Sequence, residues 1–333
     1  MRAGAQTPME IVCPAGTPAA LRAAVDAGAH SVYCGFRDET NARNFPGLNF
    51  DRPEMRRGIA YAHQRGAKVL IAVNTFPRAG DLGLWHRAID DAVAMQADAV
   101  ILADIGLIAY TAERDPQQRI HLSVQAAAAH AASIDFYVEE FGIRRVVLPR
   151  VLTVAEIARI NAAAACETEV FVFGGLCVMA EGRCSLSSYA TGKSPNMHGV
   201  CSPASHVSYR EEAGELVSRL GEFTINRVAR AEPVAYPTLC KGRFRTALGC
   251  GHLFEDPVSL DARHLLPQLR DAGVSAVKIE GRQRGRAYTA AVVAAFRAAV
   301  DAMARDAPIP GDFLAGLTEG QRATSGAYLK TWR

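Results

Sequence analysis

Four cysteines in this chain are spaced as ligands of a soft metal centre. Cys177, Cys184 and Cys201 lie in the stretch FVFGGLCVMAEGRCSLSSYATGKSPNMHGVC, residues 171–201, and Cys240 follows in YPTLCKGR. The pattern is C-x6-C-x16-C-x38-C. Thiolates gathered from one loop-rich region suit a soft metal, and four is the ligand count of an iron–sulfur cluster or of a tetrahedral zinc site. Structural zinc sites pair their cysteines across roughly two to four residues. No such pair occurs here, so the spacing leans toward iron–sulfur and leaves both open. Gly174, Gly175, Gly182 and Gly199 stand among these cysteines, where glycine lets backbone N–H groups approach a cluster. The competing reading is four buried thiols. Cys13, Cys34, Cys166 and Cys250 read as core or boundary thiols, although Cys13 and Cys250 could line a pocket. His198 and His206 read as solvent-facing or as supporting groups behind the ligands. Neither H-E-x-x-H nor G-x-S-x-G is present, which removes the zinc-helix and nucleophile-elbow hydrolases.

A second set of polar residues stands at the ends of short apolar runs. It comprises Cys13, Glu39, Asn41, Arg43, Asn44, Asn74, Asp104, Ser123, Gln125, Arg150, Glu280 and Arg282. Each alone reads as a polar terminator of a strand. Arg43, Asn44, Gln125, Arg150, Glu280 and Arg282 together read as a binding pocket. Arginine suits a carboxylate because its planar fork donates two parallel hydrogen bonds. The alternative is that these arginines pair with Glu39, Asp104 or Glu280 and only brace the fold. Within GRQRGR, residues 281–286, Arg282 follows Glu280 most directly and is the arginine expected to function.

The elements that must position these residues repeat one unit. Short apolar runs lie at Glu10–Cys13, Ser31–Phe36, Lys68–Asn74, Ala99–Asp104, Arg119–Gln125, Arg144–Pro149, Glu167–Phe173 and Ala276–Glu280. They read as buried parallel strands. Helix-patterned runs lie between them at Pro18–Ala27, Pro53–Arg65, Leu82–Met95, Gly106–Glu113, Ala131–Phe141 and Val154–Ala163. Two more flank the last strand, at Asp261–Ala272 and Ala287–Ala302. Thr17, Asp51 and Thr153 stand at N-cap positions, with Pro18 and Pro53 close behind; Gly28, Gly66 and Gly142 stand where helices stop. Eight such units predict an α/β fold, a (β/α)8 TIM-like barrel. A doubly wound sheet competes, but no G-x-G-x-x-G turn is present. The barrel spans residues 1–333 as one domain. Residues 176–255 form a cluster-binding insertion after strand seven, on the carboxyl-terminal face where barrel sites are built.

Composition sets the surroundings. A 333-residue chain with 49% hydrophobic and 21% charged residues is of ordinary globular type. A net charge of +3 offers little for a nucleic-acid surface. The first residues, MRAGAQTPMEIVCPAG, carry no secretory pattern, and no apolar run reads as a membrane span. Eight cysteines in such a chain point to a cytoplasmic setting with metal-bound or buried thiols.

The segment EVFVFGGLCVMAEGRCSLS, residues 169–187, resembles the core motif of the collagenase-like peptidase family. That motif runs Glu-x-Phe-x2-Gly-small-apolar-Cys-x4-Gly-x-Cys-x-apolar-Ser. The match falls on Glu169, Phe171, Gly174, Leu176, Cys177, Gly182, Cys184, Leu186 and Ser187, with Gly175 where Ser or Ala is usual. CPAG at 13–16, GFRDETNARNFPGLNF at 35–50, CVMAEGRC at 177–184, the Cys201-Ser202-Pro203 run and YPTLCKGR at 236–243 further resemble the UbiU branch of that family. This resemblance implies a 4Fe–4S cluster on Cys177, Cys184, Cys201 and Cys240. It implies a heterodimer with a UbiV-like homologous cluster protein, and hydroxylation of ubiquinone precursors without dioxygen, with prephenate as oxygen donor. The quinone precursor would come free or on a lipid-carrier protein, with no stable nucleic acid, no membrane span and no peptidase activity. Two other functions compete: hydroxylation of an RNA base, which other family members perform, and a non-catalytic cluster protein.

Overall fold

The structure is a computed structural model. It describes residues 9–177, 184–232 and 236–311, together with 314, 317, 318 and 322–329. Residues 178–183, which include Gly182 of the signature, lie outside the described residues.

Seven strands alternating with six helices come first. The strands are β1 (Glu10–Pro14), β2 (Ser31–Cys34), β3 (Lys68–Val73), β4 (Ala99–Leu102), β5 (Ile120–Leu122), β6 (Arg145–Val147) and β7 (Glu167–Gly175). The helices are α1 (Pro18–Asp26), α2 (Arg52–His63), α3 (Gly83–Ala94), α4 (Ile105–Arg114), α5 (Ala131–Phe141) and α6 (Val154–Ala163). Local chemistry explains their starts. Thr17 Oγ1 accepts the N–H of Ala20, and Asp51 and Thr153 each form a reciprocal capping box, with Glu54 and Glu156. Gly142 closes α5 in the left-handed conformation.

After β7 the chain leaves the barrel. It forms α7 (Ser185–Thr191), the single turn α8 (Pro195–His198), the antiparallel meander β8 (Val207–Glu212), β9 (Glu215–Leu220) and β10 (Phe223–Ala229), and the hairpin β11 (Arg243–Thr246) and β12 (Gly249–His252). Leu220, Ile225 and Leu239 form a small core of this region, with Leu186, Val207, Phe223 and Phe244 packed against it. The chain returns through β13 (Val258–Asp261), α9 (Leu266–Asp271), β14 (Ala276–Ile279), α10 (Arg286–Ala304) and β15 (Arg322–Thr324). Parallel β14 pairs with both β1 and β7, so β1–β7 and β14 close an eight-stranded barrel. The (β/α)8 expectation holds.

Three details differ from the sequence reading. The helix expected over Asp261–Ala272 begins only at Leu266. Pro267 belongs to a first turn and would break a helix interior, and Asp261 ends a strand that runs antiparallel to β7. Neither β13 nor β15 was expected, because neither shows an apolar alternation long enough to register. Finally, α10 is long and apolar enough by composition to cross a membrane, where no span was expected. It buries Val292, Val293, Phe296 and Val300 and packs on α1 and β1, as a barrel helix does.

Candidate active site at the barrel mouth

The carboxyl ends of the strands surround a pocket. Its wall includes Tyr33 from β2, Asn74 after β3, Ser123 and Gln125 after β5, Arg150 after β6, Phe171 from β7, and Lys278, Glu280 and Arg282 from β14 and beyond; Arg43 reaches over from the loop after β2. Glu280 organises the charge. Arg43 Nη2 donates to its Oε1 at 2.8 Å, and Arg150 Nη2 donates to its other oxygen. Burial by itself would raise the Glu280 carboxyl, but Arg150 and Arg43 outweigh it and hold the group at about 2. The Arg150 guanidinium lies 3.6 Å from the centre of the Phe171 ring, so this arginine is both paired and stacked.

The neutral groups are held as firmly. Asn74 Oδ1 accepts the N–H of Ala42 at 3.0 Å, and Asn74 Nδ2 donates to Ser123 Oγ at 3.3 Å. Gln125 is buried, and its Oε1 has no hydrogen-bond partner among the described residues. A buried acceptor left open on a pocket wall is a place for a ligand donor. At the floor, Lys278 Nζ donates to Glu169 Oε1 at 2.5 Å and sits 3.8 Å from the centre of the Tyr33 ring. Burial pulls the Lys278 pKa down. Backbone approach is close here. A Cβ on Gly16 would lie 1.8 Å from the carbonyl oxygen of Arg282, so glycine in the CPAG segment seats the Arg282 loop.

The cysteine region lies over this mouth. Cys184 is the N-cap of α7, and its sulfur accepts the N–H of Ser187 at 3.4 Å. Cys240 stands in the short turn Leu239–Lys241, whose Leu239 shares the small core with Leu186 of α7. Ser202 Oγ donates to the Pro237 carbonyl at 2.7 Å and Tyr236 Oη donates to the Ser202 carbonyl at 2.9 Å, stitching the Cys201 run to the Cys240 run. Gly199, at φ +73°, meets the barrel loop: a Cβ there would lie 2.7 Å from the Asn44 nitrogen. Three thiols therefore act on one another. Burial raises Cys201, Arg43 opposes that, and Cys184 adds to it. Cys240 is pushed up to about 11, by burial first, with Cys201 and Cys184 among the further causes. Thiols are the donors that a soft metal centre takes as thiolates. Among the described residues, no three His, Cys, Asp or Glu side chains stand close enough to hold a single ion. Cys177 follows two residues after the end of β7.

Comparison with known sequences places this architecture. Residues 16–323 match the model of peptidase family U32. The chain belongs to that family. One relative is the tRNA hydroxylation protein P of Escherichia coli (strain K12), 32% identical over 324 residues that cover 92% of this chain and 70% of that protein. The protein of the same name from Haemophilus influenzae is 31% identical over 328 residues, 90% of this chain and 69% of that protein. The 23S rRNA 5-hydroxycytidine C2501 synthase of Escherichia coli is 29% identical over 301 residues, 89% of this chain and 40% of that protein.

Against this U32 barrel, the expected pocket residues separate cleanly. Arg43, Gln125, Arg150, Glu280 and Arg282 line one pocket. Asn44 is not among the lining residues; it packs against Gly199 instead. Of the proposed bracing pairs, only Glu280 joins the pocket arginines. Glu39 pairs with Arg78, and Asp104 caps α4. Cys13 and Cys34 are buried in the core, and Cys250 is exposed on β12. Lys278 and Tyr33 were not singled out from sequence. The available signal was a lysine inside the apolar run AVKI, which a parallel strand tolerates only for a reason.

Proposed function

We propose that this chain is the cluster-bearing subunit of an oxygen-independent hydroxylase, with Cys177, Cys184, Cys201 and Cys240 holding a 4Fe–4S cluster and the barrel mouth holding the ring that is hydroxylated. The cluster, when bound, supplies one-electron redox chemistry. The chain's own residues do the rest. Tyr33 and Phe171 give the ring an apolar wall, Gln125 Oε1 accepts a hydrogen bond from a ring hydroxyl, and Arg150 and Arg43 hold an acidic group of the substrate or oxygen donor. One observation carries this reading. Arg43 is paired with Glu280 in the pocket, and its neighbour Asn44 packs against Gly199, two residues before Cys201, so pocket and cysteine region share a wall.

For the substrate, the sequence blocks of the UbiU branch support a ubiquinone precursor, with prephenate as donor and a UbiV-like homologous partner, in the cytoplasm. The names of the relatives support a second reading, a base in RNA. The protein purified without oxygen together with its partner, and given prephenate as oxygen donor with either a ubiquinone precursor or tRNA, tests both. A precursor that gains one oxygen atom by mass spectrometry supports the first reading. Oxygen gain only on RNA replaces it with the second, and oxygen gain on neither removes the hydroxylase reading.

A further inference from the structure

The barrel mouth has a second lobe beside the ring pocket. The lobes share Arg43, Glu280 and Arg282 and meet across this charged seam. Arg282 is 6% exposed. Its Nη1 donates to Asn41 Oδ1 at 3.1 Å, but its Nε–H has no acceptor among the described residues. A buried guanidinium N–H without an acceptor is costly. Glu280 is the only carboxylate among the described lining residues of either lobe, and it already serves Arg43 and Arg150. Burial accordingly pulls Arg282 down to about 10. The far wall of the lobe is the loop Gly281–Arg284, which leads into α10. The N-cap of that helix, Gly285, brings no side-chain cap. Loops after the last two strands of a (β/α)8 barrel are a recurrent seat for anions.

We propose that this second lobe is an oxyanion subsite, with Arg282 Nε as its buried donor, taking the carboxylate or phosphate end of a small ligand whose other end lies in the ring pocket. The proposal rests on reading the mouth as a substrate pocket and is independent of the cluster. A water molecule would satisfy the Nε–H and leave the charge uncompensated; an oxyanion does both.

Gly175 provides a test that spares the fold. It lines the lobe, and a Cβ built there meets no atom within 4 Å. The full chain is titrated calorimetrically with orthophosphate and with malonate at constant ionic strength. Saturable binding of at least one is expected, and whichever binds more tightly identifies the oxyanion. Gly175→Asp places a like charge in the lobe and should weaken binding about tenfold, whereas Gly175→Asn, similar in size and uncharged, should stay near wild type. Arg282→Met should weaken binding at least as much as Gly175→Asp. Failure of both anions to saturate the wild type overturns the subsite. So does wild-type affinity in Gly175→Asp, a result that stands even if Arg282→Met fails to fold. Ring hydroxylation by the same preparations is read separately. Lost hydroxylation with intact anion binding counts against the proposed function, and the reverse counts against the subsite alone.

Discussion

Charge occupies both ends of the barrel interior, and the two ends treat it differently. At the amino ends of the strands, Arg145 of β6 meets Glu10 and Glu167 at 2.6 Å and Glu169 at 3.3 Å. Lys278 takes the other oxygen of Glu169, and Arg119 also binds Glu167. Three cations face three carboxylates. At the mouth, Arg43 and Arg150 both donate to Glu280, and Gln125 Oε1 and Arg282 Nε find no partner among the described residues. The lower set is closed on itself, apart from one open atom, His121 Nδ1. Burial is similar in both places, so the difference is one of completeness: a completed network braces the fold, and an incomplete one waits for a ligand.

Substitutions can break or sharpen that contrast. The largest effect is expected at the closed end. Arg145→Met takes from Glu10 its ion-pair partner and leaves Glu169 with Lys278 alone, and the loss of a buried partner costs about 3–5 kcal/mol. Denaturant unfolding measures it, and a loss below about 1 kcal/mol would show that the lower network does not brace the barrel. Next comes Glu280→Gln. The native carboxyl is held near 2, from a reference value of 4.5. A depressed carboxyl contributes stability that is full above the unfolded pKa and is lost as pH falls through the folded one. The contribution is about 3 kcal/mol at neutral pH. Stability measured between pH 4.5 and 2 should therefore fall steeply in the wild type and flatten in Glu280→Gln; equal slopes would mean that Glu280 is not the anchor of the mouth. The smallest stability effect belongs to Arg150→Lys, which keeps the charge and loses the fork. It should leave the melting temperature nearly unchanged while weakening a carboxylated aromatic probe such as benzoate about tenfold. A lowered melting temperature with unchanged benzoate affinity would move Arg150 to the bracing side of the comparison.

The sequence made the open end easier to read than the closed one. Strand-end polar residues such as Gln125 and Arg150 announce themselves because a strand stops there, and N-caps such as Thr17 and Thr153 have side-chain requirements that few residues meet. The closed end hides within the strands. Arg145, Glu169 and Lys278 sit inside short runs read as uniformly apolar, and their pairing joins residues as far apart as Glu10 and Arg145. Asn44 reads as a pocket residue because it is polar and follows the end of an apolar run. In the fold, the Gly199 turn covers it, a long-range contact that no local pattern encodes. Pro267 carried the information that shortened α9, and the apolar run around it outweighed that signal.

The central claim is that the cysteines over the mouth hold an iron–sulfur cluster, and iron with acid-labile sulfide per chain tests it most directly. The account expects about four of each in anaerobically purified wild type, near-complete loss in Cys177→Ala, Cys184→Ala, Cys201→Ala and Cys240→Ala, and unchanged content in Cys34→Ala and Cys166→Ala. Full iron in Cys240→Ala, or zinc in place of iron in the wild type, would contradict it.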